Sequence, residues 1–265
     1  MESFCTYFQS KNGKMHYYDN KLNKKILLFI HGLSACKEVF YQQIELLKNE
    51  YRIIAVDLLG HGASENALNA EEAYSNLGFT DSIVELLSYL KAQNIIIYGW
   101  SLGGAIAIDL LERFPETKKI ILDGYPPVSF KTKNFENAYL YHETTHLIAQ
   151  RVLSEVEAFA YVKNGGINAN ENHTSDRVDK IVKAVLRANG SLKEIWFNSL
   201  LKLVGISPKE CVERNRDKVT ILIGENDPGI NMNYMKDHFK DITEFYPNAG
   251  HAVFWERPYE IRKYL

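Results

Sequence analysis

Ser101, Asp227 and His251 are of the types, and stand in the order, that nucleophilic catalysis at a carbonyl needs. Ser101 lies in Gly99-Trp100-Ser101-Leu102-Gly103, directly after the apolar run Ile95-Ile96-Ile97-Tyr98 and before an apolar helical pattern. A Gly-x-Ser-x-Gly pentapeptide between a strand and a helix forms a sharp turn that holds the serine at strained φ/ψ with its hydroxyl presented. The flanking glycines permit the close backbone approach this turn demands. A serine hydroxyl is a weak nucleophile at neutral pH; it needs a neutral imidazole to take its proton and a carboxylate to fix that imidazole's tautomer. Asp227 follows the apolar run Val219 to Ile223, and His251 follows Thr243 to Tyr246, so each is expected at the same sheet edge as Ser101. Asp123, which ends Ile120-Ile121-Leu122, competes for the acid's role, and an aspartate before Pro228 is also an ordinary turn residue. Asp227 is the expected acid, in the order serine, acid, histidine.

The oxyanion formed by such an attack needs backbone donors. His31-Gly32-Leu33-Ser34 follows the run Ile26 to Ile30, which places the N–H of Leu33 beside that of Leu102 as the expected oxyanion hole. The His31 imidazole is expected to be structural, as is the turn-rich stretch Asp57 to Ser64: Asp57 and His61 lack a third ligand at a spacing that would hold a metal. Trp100 is expected to line an acyl pocket, whereas Phe254 and Trp255 read as core. No metal or cofactor is expected. Cys5, Cys36 and Cys211 are odd in number and scattered, which argues against a disulfide framework and a zinc site.

The elements that must position these residues follow from the hydrophobic pattern. At least five buried strand runs alternate with helical patterns, which predicts an α/β fold: a mostly parallel sheet with helices on both faces. Phe4 to Phe8 and Lys14 to Asp19, separated by Asn12-Gly13, predict an antiparallel edge hairpin. The alternation stops at Pro126-Pro127. From Val128 to about Pro208 only helix-like patterns occur, with breaks at Gly165-Gly166 and Gly190, and the βα rhythm then returns and closes with a helix near Tyr259. The expected organisation is therefore a core over 1–127 and 209–265, interrupted by a helical cap over 128–208. At 265 residues one large core with an insertion is the natural reading. Hydrophobic residues make up 46%, charged residues 24%, and the net charge is −2. Such a chain has no basic excess for nucleic acid or an anionic membrane, so neither partner is expected. Residues Met1 to Ser10 have no apolar core, so no secretory leader and a cytoplasmic location are expected.

Together these motifs resemble the α/β-hydrolase fold superfamily over essentially the whole chain: His31-Gly32, Asp57 to Ser64, Gly99 to Gly104, Asp227 and Ala249-Gly250-His251 match in order. Within it, Asp57-Leu58-Leu59-Gly60-His61-Gly62-Ala63-Ser64, Tyr98 to Gly104 and Pro126-Pro127-Val128 are most similar to the α/β-hydrolase-type N-acyl-homoserine lactone lactonases. Leu59 stands where the superfamily usually has proline, and Leu33 where these lactonases have asparagine. Phe159 stands at the place of a cap tyrosine that contacts substrate, with Tyr161 nearby. The resemblance implies a serine hydrolase acting on a small-molecule ester or lactone, with Trp100 and Phe159 in the substrate pocket. A serine at the elbow argues against the dehalogenases and epoxide hydrolases of this fold, which carry aspartate there. A general short-chain carboxylesterase, an aminopeptidase and a ligand receptor that retains the triad remain open alternatives.

Overall fold

The computed structural model describes residues 2–132, 135–164, 175–203 and 205–265. The chain opens with the expected hairpin, β1 (Cys5–Ser10) and β2 (Gly13–Asp19), paired antiparallel. There follow β3 (Ile26–Ile30), α1 (Tyr41–Leu47), β4 (Arg52–Val56), α2 (Ala70–Ala73), α3 (Asn76–Tyr89), β5 (Ile95–Trp100), α4 (Leu102–Arg113) and β6 (Thr117–Asp123). The next helices are α5 (Phe135–Ala138), α6 (Glu155–Asn164), α7 (Ser175–Arg187), α8 (Gly190–Leu201) and α9 (Pro208–Arg214). The core then resumes with β7 (Val219–Gly224), α10 (Met232–Phe239), β8 (Thr243–Tyr246) and α11 (Val253–Glu256).

The strands form one sheet in the order β1-β2-β4-β3-β5-β6-β7-β8, parallel from β3 to β8 and antiparallel at the β1 and β2 edge. Both faces are covered, which explains why the core strands read as continuous apolar runs. Alternate residues enter two separate clusters. Leu28, Ile54, Ile97 and Leu122 meet Phe79, Ile83 and Ile106 of α3 and α4, while Phe29, Ala55, Tyr98 and Ile121 meet Phe40, Ile44 and Trp255. Ser75 caps α3 by accepting the Gly78 N–H at 3.0 Å, and α4 ends at Arg113, leaving Phe114, the residue before Pro115, extended, as a proline dictates.

Between β6 and β7 only helices and turns occur among the described residues, apart from a single bridge between Tyr139 and Ile230. Ala158 and Val162 of α6 pack with Val178, Ile181 and Val185 of α7, in the same cluster as Trp100. The bridge at Tyr139 is backed by two further hydrogen bonds, Leu140 N–H to Gly229 O and Asn231 N–H to Ala138 O, both 2.9 Å. The inserted segment is thereby tied to the loop after β7. The expected break at Gly165-Gly166 lies outside the described residues. The helix expected near Tyr259 takes the form of the one-turn α11 followed by a 3₁₀ helix over Glu260–Tyr264. No described helix is long and apolar enough to cross a membrane.

Candidate active site

Ser101 follows β5, near the middle of the sheet, and begins α4 with φ 53° and ψ −116°, a conformation that L-residues avoid unless their surroundings impose it. The turn is held by Ser101 N–H donating to Asp123 O at 2.8 Å and Gly104 N–H donating to Ser101 O at 2.8 Å. A Cβ on Gly99 would lie 2.2 Å from Gly103 O, and one on Gly103 would lie 2.2 Å from Ile30 O. Backbone approach this close admits only glycine at either place.

His251 and Asp227 come from the loops after β8 and β7. Backbone bonds lace these loops together, Asn226 N–H to Ala249 O at 2.9 Å and Glu225 N–H to Tyr246 O at 3.0 Å. Asp227 Oδ2 lies 2.7 Å from His251 Nδ1, and Oδ1 accepts the Gly229 N–H at 2.9 Å. One oxygen of Asp227 thus closes a turn, and the other lies against the imidazole. Burial pushes the His251 pKa down, but the Asp227 charge and hydrogen bond more than reverse this, leaving it above its ordinary value of 6.5. Trp100 Nε1 donates to His251 O at 2.9 Å, which fixes the backbone of the histidine loop from the elbow side.

Asp123, the competing acid, is spoken for. Its carboxylate accepts Tyr98 O–H at 2.5 Å, Val253 N–H at 3.0 Å and Phe254 N–H at 2.9 Å, and it is fully buried. Burial raises its pKa to about 6 against the lowering effect of these donors. His31 is likewise committed: Nδ1 donates to Gly32 O at 2.7 Å, and Nε2 accepts the Leu58 N–H at 3.1 Å. Asp57 is the hub of a buried cluster that the sequence did not reveal. It accepts from Lys37 N–H (2.7 Å), Lys37 Nζ (2.8 Å) and Ala63 N–H (3.0 Å), and lies 3.3 Å from His16 Nδ1. Burial alone would raise its pKa, but His16 and Lys37 hold it well below the usual carboxylate range. Among the described residues no group of His, Cys, Asp and Glu is arranged to hold a metal ion.

Ser101, His251 and Asp227 line one cavity of about 440 Å³, and Leu33, Leu102 and Trp100 share its wall. The size suits a small organic molecule. Ser101 and His251 are partly exposed, whereas Asp227 is buried. Among the described residues the Ser101 hydroxyl makes no hydrogen bond, and catalytic hydrogen bonds of this kind commonly close only in the Michaelis complex. The rest of the wall is mainly aromatic and aliphatic, with Tyr139, Tyr161 and Trp196 contributed by the segment between β6 and β7. Phe159, expected in this pocket, is not there. It is 46% exposed and lines a separate shallow groove between α6 and α7 with Val156 and Leu186. Two positions along a helix are about 200° apart, so the face that turns Tyr161 inward turns Phe159 outward. His142 also lines the cavity and was not foreseen, since nothing in its local sequence distinguishes it. Burial lowers its pKa, opposed by the charge of Asp227.

Comparison with known proteins follows the same lines. The family model described as alpha/beta hydrolase fold matches residues 25–258. Pimeloyl-(acyl-carrier protein) methyl ester esterase of Nitrosospira multiformis is 32% identical over 243 residues, which cover 88% of this chain and 89% of its own length. Among solved structures, N-acyl homoserine lactonase AidH complexed with N-butanoyl homoserine superposes with a TM-score of 0.88 at 26% identity, covering 98% of this chain and 94% of that one. Esterase RhEst1 from Rhodococcus sp. ECU1013 superposes with a TM-score of 0.81 at 20% identity over 98% of both chains, a likeness of fold alone.

Proposed function

The chain belongs to the alpha/beta hydrolase fold family, and from that premise we propose that it is a serine hydrolase of carboxylic esters, with lactones its favoured substrates. The observation that carries this reading is the 2.7 Å Asp227–His251 contact opening onto the same apolar cavity as the strained Ser101. In this mechanism His251 Nε2 takes the proton of Ser101 Oγ as the hydroxyl attacks the carbonyl carbon. Asp227 keeps the Nδ1–H of His251 in place and stabilises the imidazolium that forms. The N–H groups of Leu33 and Leu102 receive the oxyanion, a contribution of the order of a hundredfold to a thousandfold in rate per donor. His251 returns its proton to the leaving alcohol. Water, deprotonated by the same imidazole, then hydrolyses the acyl-enzyme.

The segment 128–208 acts in this reading as a cap that roofs Ser101. Tyr139, Tyr161 and Trp196 supply apolar surface for an acyl chain. The similarity to AidH favours a lactone, because that lactonase is 26% identical and aligned over almost the whole chain. The purified protein is tested on a panel of aryl esters, N-acyl homoserine lactones and amides, with Ser101→Ala as control. Multiple turnover of esters and lactones, lactones having the higher kcat/KM, is expected. Preference for amides, or turnover that persists in Ser101→Ala, would overturn the reading.

A further inference from the structure

Two buried donors in the wall of the catalytic cavity have no hydrogen-bond partner among the described residues, the Ser34 hydroxyl and Trp196 Nε1. Ser34 is the more informative, because the whole residue is buried and it directly follows Leu33. It sits in a turn closed by Ala35 N–H donating to Gly32 O at 3.2 Å. The turn lies against the nucleophile: a Cβ on Gly32 would be 3.2 Å from Ser101 Cβ. Ser34 has φ 62°, the left-handed conformation required at the third position of a type II turn, where glycine is the unstrained choice. A serine at this place carries both backbone strain and the desolvation cost of an unpaired hydroxyl. Neither cost has a return within the described protein.

We propose that the Ser34 hydroxyl is a third donor to the substrate carbonyl oxygen as it becomes an oxyanion, beside the backbone N–H groups of Leu33 and Leu102. This rests on the reading of Ser101 as nucleophile. A hydroxyl already stripped of water and without a protein partner has nothing to give up when the charge develops, which is the condition under which a donor favours the transition state over the bound ester. Ser34 thus binds where charge appears and adds little to ground-state affinity.

The test compares Ser34→Ala and Ser34→Gly with the parent, using p-nitrophenyl butyrate as substrate and phenylboronic acid as a probe that forms a tetrahedral anionic adduct with an active serine. Ser34→Gly fits the positive φ without strain, so its folding is secure. In both variants kcat is expected to fall by about tenfold to a hundredfold with KM changed by less than about threefold, and the Ki of the boronic acid to rise by a similar factor. A fluorophosphonate should still label Ser101. A kcat within about twofold of the parent in both variants overturns the proposal, as does a fall in kcat with unaltered boronic acid affinity, which marks a merely structural role. Failure of the underlying reading registers separately, as turnover that survives Ser101→Ala, and takes the Ser34 proposal with it.

Discussion

Asp123 ends β6 and Asp227 stands in the loop after the adjacent β7, and their partners distinguish them. Asp227 faces His251, whereas Asp123 faces Tyr98 and the N–H groups of Val253 and Phe254. Asp227→Asn is therefore expected to lower kcat by roughly ten-thousandfold with the fold intact, through the wrong histidine tautomer. Asp123→Asn is expected to cost mainly stability, with a far smaller loss of kcat, because an amide cannot accept all three of its present donors. The reverse ranking of kcat values would move the acid to Asp123. Because Asp227 raises the pKa of His251 above 6.5, net of burial, and the base must be neutral, kcat/KM should fall as pH drops through a midpoint above 6.5. A profile recorded from about pH 5 to about pH 9 with its acid midpoint below 6.5 would contradict the pairing. A different buried acid makes stability depend on pH. Burial raises the Asp109 carboxyl to about 7, opposed by Thr80, Arg113 and Asn76. Its folded pKa exceeds the unfolded value, so its contribution is fully present below about 4 and is lost as pH rises through about 7. Asp109→Asn is expected to gain in Tm over the parent as pH rises from about 4 to about 7, and a constant difference across that range would refute it.

At the scale of elements, α6 carries the instructive miss. Phe159 and Tyr161 were both visible as aromatic residues in a helical pattern, but their spacing guarantees that only one can face the cavity, and sequence alone does not say which. Packing decides: Ala158 and Val162 face α7, which carries Tyr161 inward and leaves Phe159 at the surface. Tyr161→Ala should shift the chain-length preference in kcat/KM along an acyl series. One methylene is worth about 1–3 kcal/mol, so the shift should be gradual. Phe159→Ala should leave the series unchanged. Equal effects of the two variants would remove α6 from the specificity surface. The tie between Tyr139 and Ile230 was equally hidden, because a single bridge leaves no periodic signature.

Over the whole molecule, the sheet was legible because its central strands β3, β4 and β5 carry near-continuous apolar runs, the pattern that burial on both faces produces. The turn at Ser101 was legible because its geometry needs Gly99 and Gly103, and the meeting of Asp227 with His251 because each stands in the loop after a strand. The Lys37–Asp57 ion pair and the cavity wall were not, since they unite residues distant in sequence whose types are ordinary singly. With the fold given by family membership, the claim that matters most is that Ser101 is the one nucleophile. The most direct measurement is intact and peptide mass spectrometry after a fluorophosphonate has been titrated against esterase activity. One adduct per chain, on Ser101, with activity lost in proportion to labelling, is the expected result. Labelling of another serine, or full activity in a chain stoichiometrically labelled at Ser101, would contradict it.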